Sequence, residues 1–368
     1  MPIEIEAPEQ YGYDKIECNL TESSYTDFRF KDLGLNLDEL MISYGDHRGH
    51  AGLRALLSKE TGGKVAPDQV LLTSGAAQAL FIISTSVLEA GSELVVVRPN
   101  YATNLETPRA IGAGLKIIDL TFEGGYQTTA KMIRDALTPK TKLVSITVPH
   151  NPTGTVIEEN ELREIIEITG KAGCLLLVDE TYREMNFKGV LPHAAGLAPH
   201  VISVASFSKT FGLPGIRVGW LMTQNRDAFE KFFAAKEQIQ ICGSALDEEI
   251  AFRFYGQKER YLPAIRKDLE NKFKIMKTWI DEQPHFEWVE PAGGCVAFPR
   301  LKAEFRNKVD ADRFYKILNG RFSTFVGPGH WFEQDRLSMR LGYGWPDALT
   351  LEKGLRNLTA AIQLCLEA

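Results

Sequence analysis

The sequence is poor in the features that would commit it to several whole classes of protein. Among 368 residues there are five cysteines, Cys18, Cys174, Cys242, Cys295 and Cys365. They are scattered, odd in number and never spaced as CxxC. That argues against a zinc site and against a disulfide framework, so no metal is expected, and a reducing, cytoplasmic setting is. Positive charge is not concentrated: 42 Lys and Arg face 48 Asp and Glu, for a net charge of −6. Without a basic block or stripe, no nucleic-acid partner is expected. Long apolar runs are missing too, each being broken by Ser, Thr, Glu or Gly, so no membrane span is expected. The opening "MPIEIEAPEQ" is acidic and carries no apolar signal segment. No repeat or low-complexity tract appears.

What is present is a large apolar fraction, 44%, enough for a sizeable core and two domains. From residue 44 onward, apolar runs of strand type alternate with helical patterns. "QVLLTS", "ELVVVR", "LKIIDL", "KLVSITV", "CLLLVD", "VISVAS" and "RVGWLM" read as strands, and "AAQALFIISTSVL", "TTAKMIRDAL" and "EENELREIIEITGKAG" as helices. Continuous rather than alternating apolar strands imply burial on both faces. The expected fold is therefore α/β, a mainly parallel sheet of seven-stranded type sandwiched by helices. After about residue 227 the character changes to long helices with short strands, a smaller α+β domain. The boundary is set at residue 265, giving a large domain over 44–265 and a small one from 1–43 and 266–368. Residues 1–43 read as irregular, and "KERYLPAIRKDLENKFKIMKTWIDE" as a helix interrupted or begun near Pro263.

Sheets of this kind bind ligands beyond the carboxyl ends of their strands, so the polar groups there are the candidates. Gly75, Ala76 and Ala77 follow a strand and open a helix, where free backbone N–H groups can cradle a phosphate. The plainer alternative is a tight turn capped by Ser74. Tyr101 could stack on a planar ring or simply pack a wall. Asn151, in "VPHNPTG", could meet a ligand oxygen or form an Asn-Pro turn. Asp179 follows four apolar residues, a costly position unless something cationic faces it or it caps a helix. Tyr182 can offer its phenol to the same ligand. Lys209 could snorkel to solvent, but Ser206, Ser208 and Arg217 surround it in sequence, a set able to grip phosphate. Together these groups suit a pyridine aldehyde phosphate held by an amine.

"YGDHRGHAGLR", "LLTSGAAQAL", "PNYATN", "VPHNPTG", "VDETY", "SFSKTFGLPGIRVGW" and "LSMRLGYG" occur in that order between residues 44 and 344. This series resembles the class I/II aminotransferases, fold-type I enzymes that use pyridoxal 5'-phosphate. The resemblance implies that Lys209 forms the Schiff base, Asp179 faces the pyridine nitrogen, Asn151 and Tyr182 meet the ring oxygen, and Tyr101 stacks. Gly75, Ala76, Ala77, Ser206, Ser208 and Arg217 would hold the phosphate, with Tyr44 reaching the phosphate of a neighbouring subunit. Arg340 would bind the substrate carboxylate, beside Asn151. A C2 homodimer and a small amino acid and keto acid as substrates follow from the same likeness.

Two departures stand out. The glycine segment that usually closes over the substrate carboxylate is not evident in "NLTESSYTDF", where Glu22, Ser23 or Ser24 would line the pocket instead. "VGPGHWF" carries His330 and Trp331 where smaller polar residues are common. Besides transamination, the same groups would serve a lyase, a β/γ-replacement enzyme or a cyclising enzyme. A non-catalytic regulator with an aminotransferase-like domain is a third class, and nothing basic before Tyr44 suggests a DNA-binding head.

Overall fold

The structure, a computed structural model, describes residues 8–367. A first strand, β1 (Cys18–Leu20), belongs to a small sheet. The main sheet contains β2 (Val70–Thr73), β3 (Glu93–Arg98), β4 (Gly114–Asp119), β5 (Thr141–Thr147), β6 (Leu175–Asp179), β7 (Val201–Ser206) and β8 (Gly219–Thr223). Their spatial order is β2-β8-β7-β6-β5-β3-β4. β8 runs antiparallel to both of its neighbours, and the other pairs are parallel. The expected α/β sandwich with a smaller second part is therefore the fold.

Parallel strands need crossovers, and helices Gly75–Val87, Thr103–Ile111, Ala130–Ala136 and Glu159–Ala172 connect the successive strands from β2 to β6. Alternate strand residues point to opposite faces, and here both faces are apolar. Leu94, Val96 and Leu177 pack with Ile82, Ile83 and Phe232 on one side. Val95, Leu176 and Val178 pack with Ile146, Ile165 and Leu162 on the other. Each such fully buried side chain contributes about 1.5–3 kcal/mol, which is why these strands read as unbroken apolar runs.

The small sheet has the order β1-β12-β13-β10, with β12 (Thr324–Pro328) between β1 and β13 (Met339–Gly342), and β10 (Val296–Ala297) at the far edge. β9 (Phe286–Glu287) and β11 (Arg300–Leu301) form a separate antiparallel pair. Helix Lys258–Glu282 connects the two cores: Leu262 packs with Leu53 and Phe254, whereas Ile265 and Leu269 pack with Leu341 and Leu355.

Four elements differ from the sequence reading. Residues 18–20 are a strand rather than irregular, because they lie parallel to β12, in register Cys18↔Thr324. β12 itself hides behind a Gly-Pro ending. Helix Thr103–Ile111 contains Pro108 at its sixth position, and helix Lys258–Glu282 contains Pro263 at the same place. A proline that early removes only one intrahelical bond, so neither helix is broken there. All five cysteines are free. No helix among the described residues is long and apolar enough to cross a membrane.

Candidate active site

The carboxyl ends of β2, β3, β5, β6 and β7 open on one cavity of about 350 Å³. Asp179 is the last residue of β6 and Ser206 the last of β7, adjacent strands in the sheet. The turns that follow are tied together, since Thr210 Oγ1 donates to the Thr181 carbonyl at 2.9 Å. Lys209 and Asp179 consequently line the same space.

Asp179 is 7% exposed. Its Oδ1 accepts from the Thr181 N–H at 3.0 Å and the Thr181 hydroxyl at 2.6 Å. Burial nevertheless pushes its carboxyl above the ordinary range. The turn at Thr181 accounts for one oxygen, and among the described residues no ion pair is formed with the carboxylate, Lys209 acting on it through space. Lys209 Nζ donates to Ser23 Oγ at 2.9 Å. Burial, and then the positive charge of Arg340, hold this amine below the usual lysine range.

Around these two groups the other candidates fall into three sets. At the phosphate end, Ala76 and Ala77 lie in the first turn of helix Gly75–Val87, which no side chain caps. The Ser74 hydroxyl, the alternative cap, instead donates to Gln240 Oε1 at 2.7 Å. Arg217 Nη1 donates to Ser208 Oγ at 3.3 Å and to the Pro214 carbonyl at 3.0 Å. Ser206 Oγ accepts from the Ser208 N–H at 3.3 Å. This end is bare of side chains where it must be: a Cβ on Gly75 would fall 2.6 Å from Arg217 Nη2, and one on Gly219 2.7 Å from the Ala76 nitrogen. Gly75 itself does not line the cavity but sets its edge.

At the ring position stand Tyr101, Asn151 and Tyr182. The Tyr182 hydroxyl donates to the Ser23 carbonyl at 2.8 Å, and burial pushes its pKa well up, so it is a neutral phenol whose one proton is already engaged. At the third position, Arg340 is 9% exposed. Its Nη1 donates to Asn151 Oδ1 at 3.2 Å and its Nη2 to the Thr21 carbonyl at 2.8 Å. Its Nε, also buried, has no partner. Asn151 thus touches the arginine as well as the ring position.

Tyr44 lies outside the cavity and is 86% exposed. The sequence reading missed Thr147 and Thr181, although "VDETY" places Thr181 two residues past Asp179, the spacing of a side-chain-capped turn. It left Glu22, Ser23 and Ser24 as alternatives, and all three line the cavity, with Trp331 and Phe332. The N-terminal segment is held there by its backbone: Tyr25 N–H donates to the Lys209 carbonyl at 2.8 Å and Phe28 N–H to Gly212 at 2.9 Å. No group of His, Cys, Asp or Glu among the described residues has metal-binding geometry.

These features fit a flat, anionic, aldehyde-bearing pyridine. A capless helix start with serines and an arginine suits its phosphate, an unneutralised buried carboxylate its ring nitrogen, and a buried amine its aldehyde.

A family model described as aminotransferase class I and II matches residues 26–353. Capreomycidine synthase of Streptomyces vinaceus is 28% identical over 88% of this chain and 82% of its own. An HTH-type transcriptional regulator of Bacillus subtilis, YisV, is 27% identical over 88% of this chain and 67% of its own. The crystal structure of a PLP-dependent aminotransferase from Streptococcus suis superposes with a TM-score of 0.88 at 26% identity, covering 96% of this chain and 95% of that one.

Proposed function

The chain belongs to the class I and II aminotransferase family, pyridoxal-phosphate-dependent enzymes that act on amino acids, and from that premise we propose that it moves an amino group between an L-amino acid and a 2-keto acid. The observation that carries the reading is the shared cavity of Lys209, Asp179 and Arg340. In it, Lys209 would carry the cofactor's aldehyde carbon and Asp179 would hold its ring nitrogen protonated. Asn151 and Tyr182 would serve its ring oxygen, and Tyr101 would stack. The Ala76 and Ala77 amides with Ser206, Ser208 and Arg217 would hold its phosphate. When bound, the cofactor supplies an electron sink for the charge left at Cα by loss of a proton.

The chain's own groups do the rest. Arg340 grips the substrate carboxylate through its fork of donors and so fixes the Cα–H bond relative to Lys209. Once the substrate's amino group has taken its place on the aldehyde carbon, Lys209 would be free to take the Cα proton and to return it at the carbon two bonds from Cα. Its lowered pKa raises the neutral fraction available for that task. Asp179 is ionised most readily opposite a cation, which offsets the desolvation that otherwise raises its pKa. Tyr182 must release the Ser23 carbonyl to donate elsewhere, so the 21–24 segment responds to what the ring position contains.

A second reading, a lyase, replacement or cyclisation reaction, draws support from the relative named as a synthase. A panel of amino acids assayed with and without 2-oxoglutarate decides between them. Keto-acid formation that requires the acceptor supports transamination; ammonia or sulfide released without it overturns that reading. The regulator likeness is addressed by the same assay, since a non-catalytic domain turns over nothing. We further propose a C2 homodimer in which Tyr44 reaches the neighbouring site. Met41, Ile42 and Tyr44 are 77%, 83% and 86% exposed, an apolar run suited to a partner surface. Sedimentation of the purified protein at the monomer mass would overturn it.

A further inference from the structure

Four carboxylates line the cavity, Glu9, Glu22, Asp27 and Asp179, against three cations, Lys209, Arg217 and Arg340. In the reading above, on which this inference rests, each cation and Asp179 already has a task. Three carboxylates are left over, and all three come from the N-terminal segment. Asp27 accepts from the Trp345 indole N–H at 2.9 Å. Glu22 Oε1 accepts from the Tyr13 hydroxyl at 2.6 Å, and among the described residues neither Glu22 nor Glu9 forms an ion pair with a lysine or arginine.

We propose that the substrate is an amino acid whose side chain ends in a cation, an ammonium or guanidinium, with Glu22 as its carboxylate partner.

The placement of Glu22 relative to the carboxylate grip is built into the backbone. Arg340 and Gly342 lie on the same strand, β13. Arg340 holds the Thr21 carbonyl, and a Cβ on Gly342 would fall 1.7 Å from the Glu22 carbonyl oxygen. Only glycine lets residues 21–22 press so closely on β13. The two ends of an amino-acid site, one for its α-carboxylate and one for its side chain, are therefore set on contacting backbones. Among the described residues the buried Arg340 Nε has no hydrogen-bond partner, which leaves the carboxylate grip with an unmet donor beside this wall. Tyr13, itself on the cavity wall, fixes one oxygen of Glu22 and leaves the other available.

The alternatives fare worse on the same geometry. An acidic side chain would meet three carboxylates and no spare cation. A neutral one would shield Glu22 from water without replacing its solvation. A cationic one gains a charge-assisted hydrogen bond. The negative charges of Glu22 and Glu9 already act on the Lys209 amine, opposing the effect of burial, which places them within electrostatic reach of the reacting position.

The test uses the cofactor-loaded enzyme and the absorbance of its bound cofactor to titrate ornithine, lysine and arginine against norleucine, phenylalanine and glutamate. At least one cationic amino acid should bind about 10- to 100-fold more tightly than norleucine, with glutamate weakest. Glu22→Gln should collapse most of the ratio between the cationic amino acid and norleucine, a selective change that general loss of structure, which weakens both alike, would not produce. Calorimetry on the same pairs gives a readout independent of turnover. Norleucine or glutamate binding as well as every cationic amino acid, or a Glu22→Gln enzyme that keeps the preference, overturns the proposal and leaves the aminotransferase reading standing. A protein that takes up no pyridoxal phosphate overturns both.

Discussion

Asp179 and Glu180 are neighbours in sequence and equally buried, at 7% and 5% exposure, yet the protein treats them oppositely. Glu180 faces away from the cavity into a closed network. Its Oε2 meets His193 Nδ1 at 2.6 Å and its Oε1 accepts from the Ala194 N–H at 2.6 Å. His193 Nε2 meets Glu60 Oε2 at 3.4 Å, and Lys258 pairs with Glu60 in turn. Burial alone would push Glu180 up, but His193 outweighs it and holds the carboxyl below its ordinary range. Asp179 has the two Thr181 hydrogen bonds and the distant charge of Lys209, and burial wins. A carboxylate satisfied inside the protein is structural. One left without its counter-charge on a cavity wall is suited to a ligand.

The largest expected effect that sharpens this comparison is catalytic. Asp179→Asn should lower kcat/KM by roughly 10³-fold, whereas Glu180→Gln should leave it within about threefold when measured below its melting temperature. Equal losses in steady-state kinetics would erase the distinction. Next comes stability without cofactor. Glu180→Gln breaks a buried ion pair and should cost about 3 kcal/mol in urea denaturation at neutral pH, while Asp179→Asn should cost nothing or stabilise, because it removes a desolvated charge.

The smallest effect is in the pH dependence, and its sign differs between the two residues. The stability owed to Glu180 is present above the ordinary carboxylate range and is lost as pH falls through its depressed pKa. For Asp179 the stability is complete below the ordinary range and is lost as pH rises through its raised pKa. His193, drawn down by burial but raised on balance by Glu180 and Glu60, behaves like Asp179 around the histidine range. A series of denaturation curves should therefore show His193→Ala costing less as pH rises past that range. A cost that grows instead would contradict the pairing.

How much of this could be read beforehand differs by region. Strands such as "LLLVD" and "VISVAS" declare themselves because burial on both faces demands unbroken apolar residues, and their ends mark the cavity floor. Asp179, Ser206 and Lys209 were legible for that reason. The cavity roof was not. Residues 18–20 look irregular until β12 pairs with them, and β12 looks like a turn because it ends in Gly327 and Pro328. Helix Thr103–Ile111 was obscured by Pro108, whose position within the helix decides its cost. Glu22 and Ser23 were named only as alternatives in a segment lacking the usual glycine; what they do is set by contacts to Tyr13 and Lys209.

The succession of strands along the chain, the phosphate-end glycines and serines, and the carboxylate and amine at the strand ends follow from the sequence alone, since each depends on residues close together in the chain. Tertiary structure decided that Glu180 is satisfied by His193 and Ala194, that the Tyr182 proton is engaged by Ser23, and that an acidic N-terminal segment lines the cavity beside Lys209. Those outcomes rest on contacts such as Tyr182 to Ser23 and Arg340 to Thr21, separated by 159 and 319 residues. No local propensity encodes such pairs; they form only when packing of the two cores brings distant backbone into register.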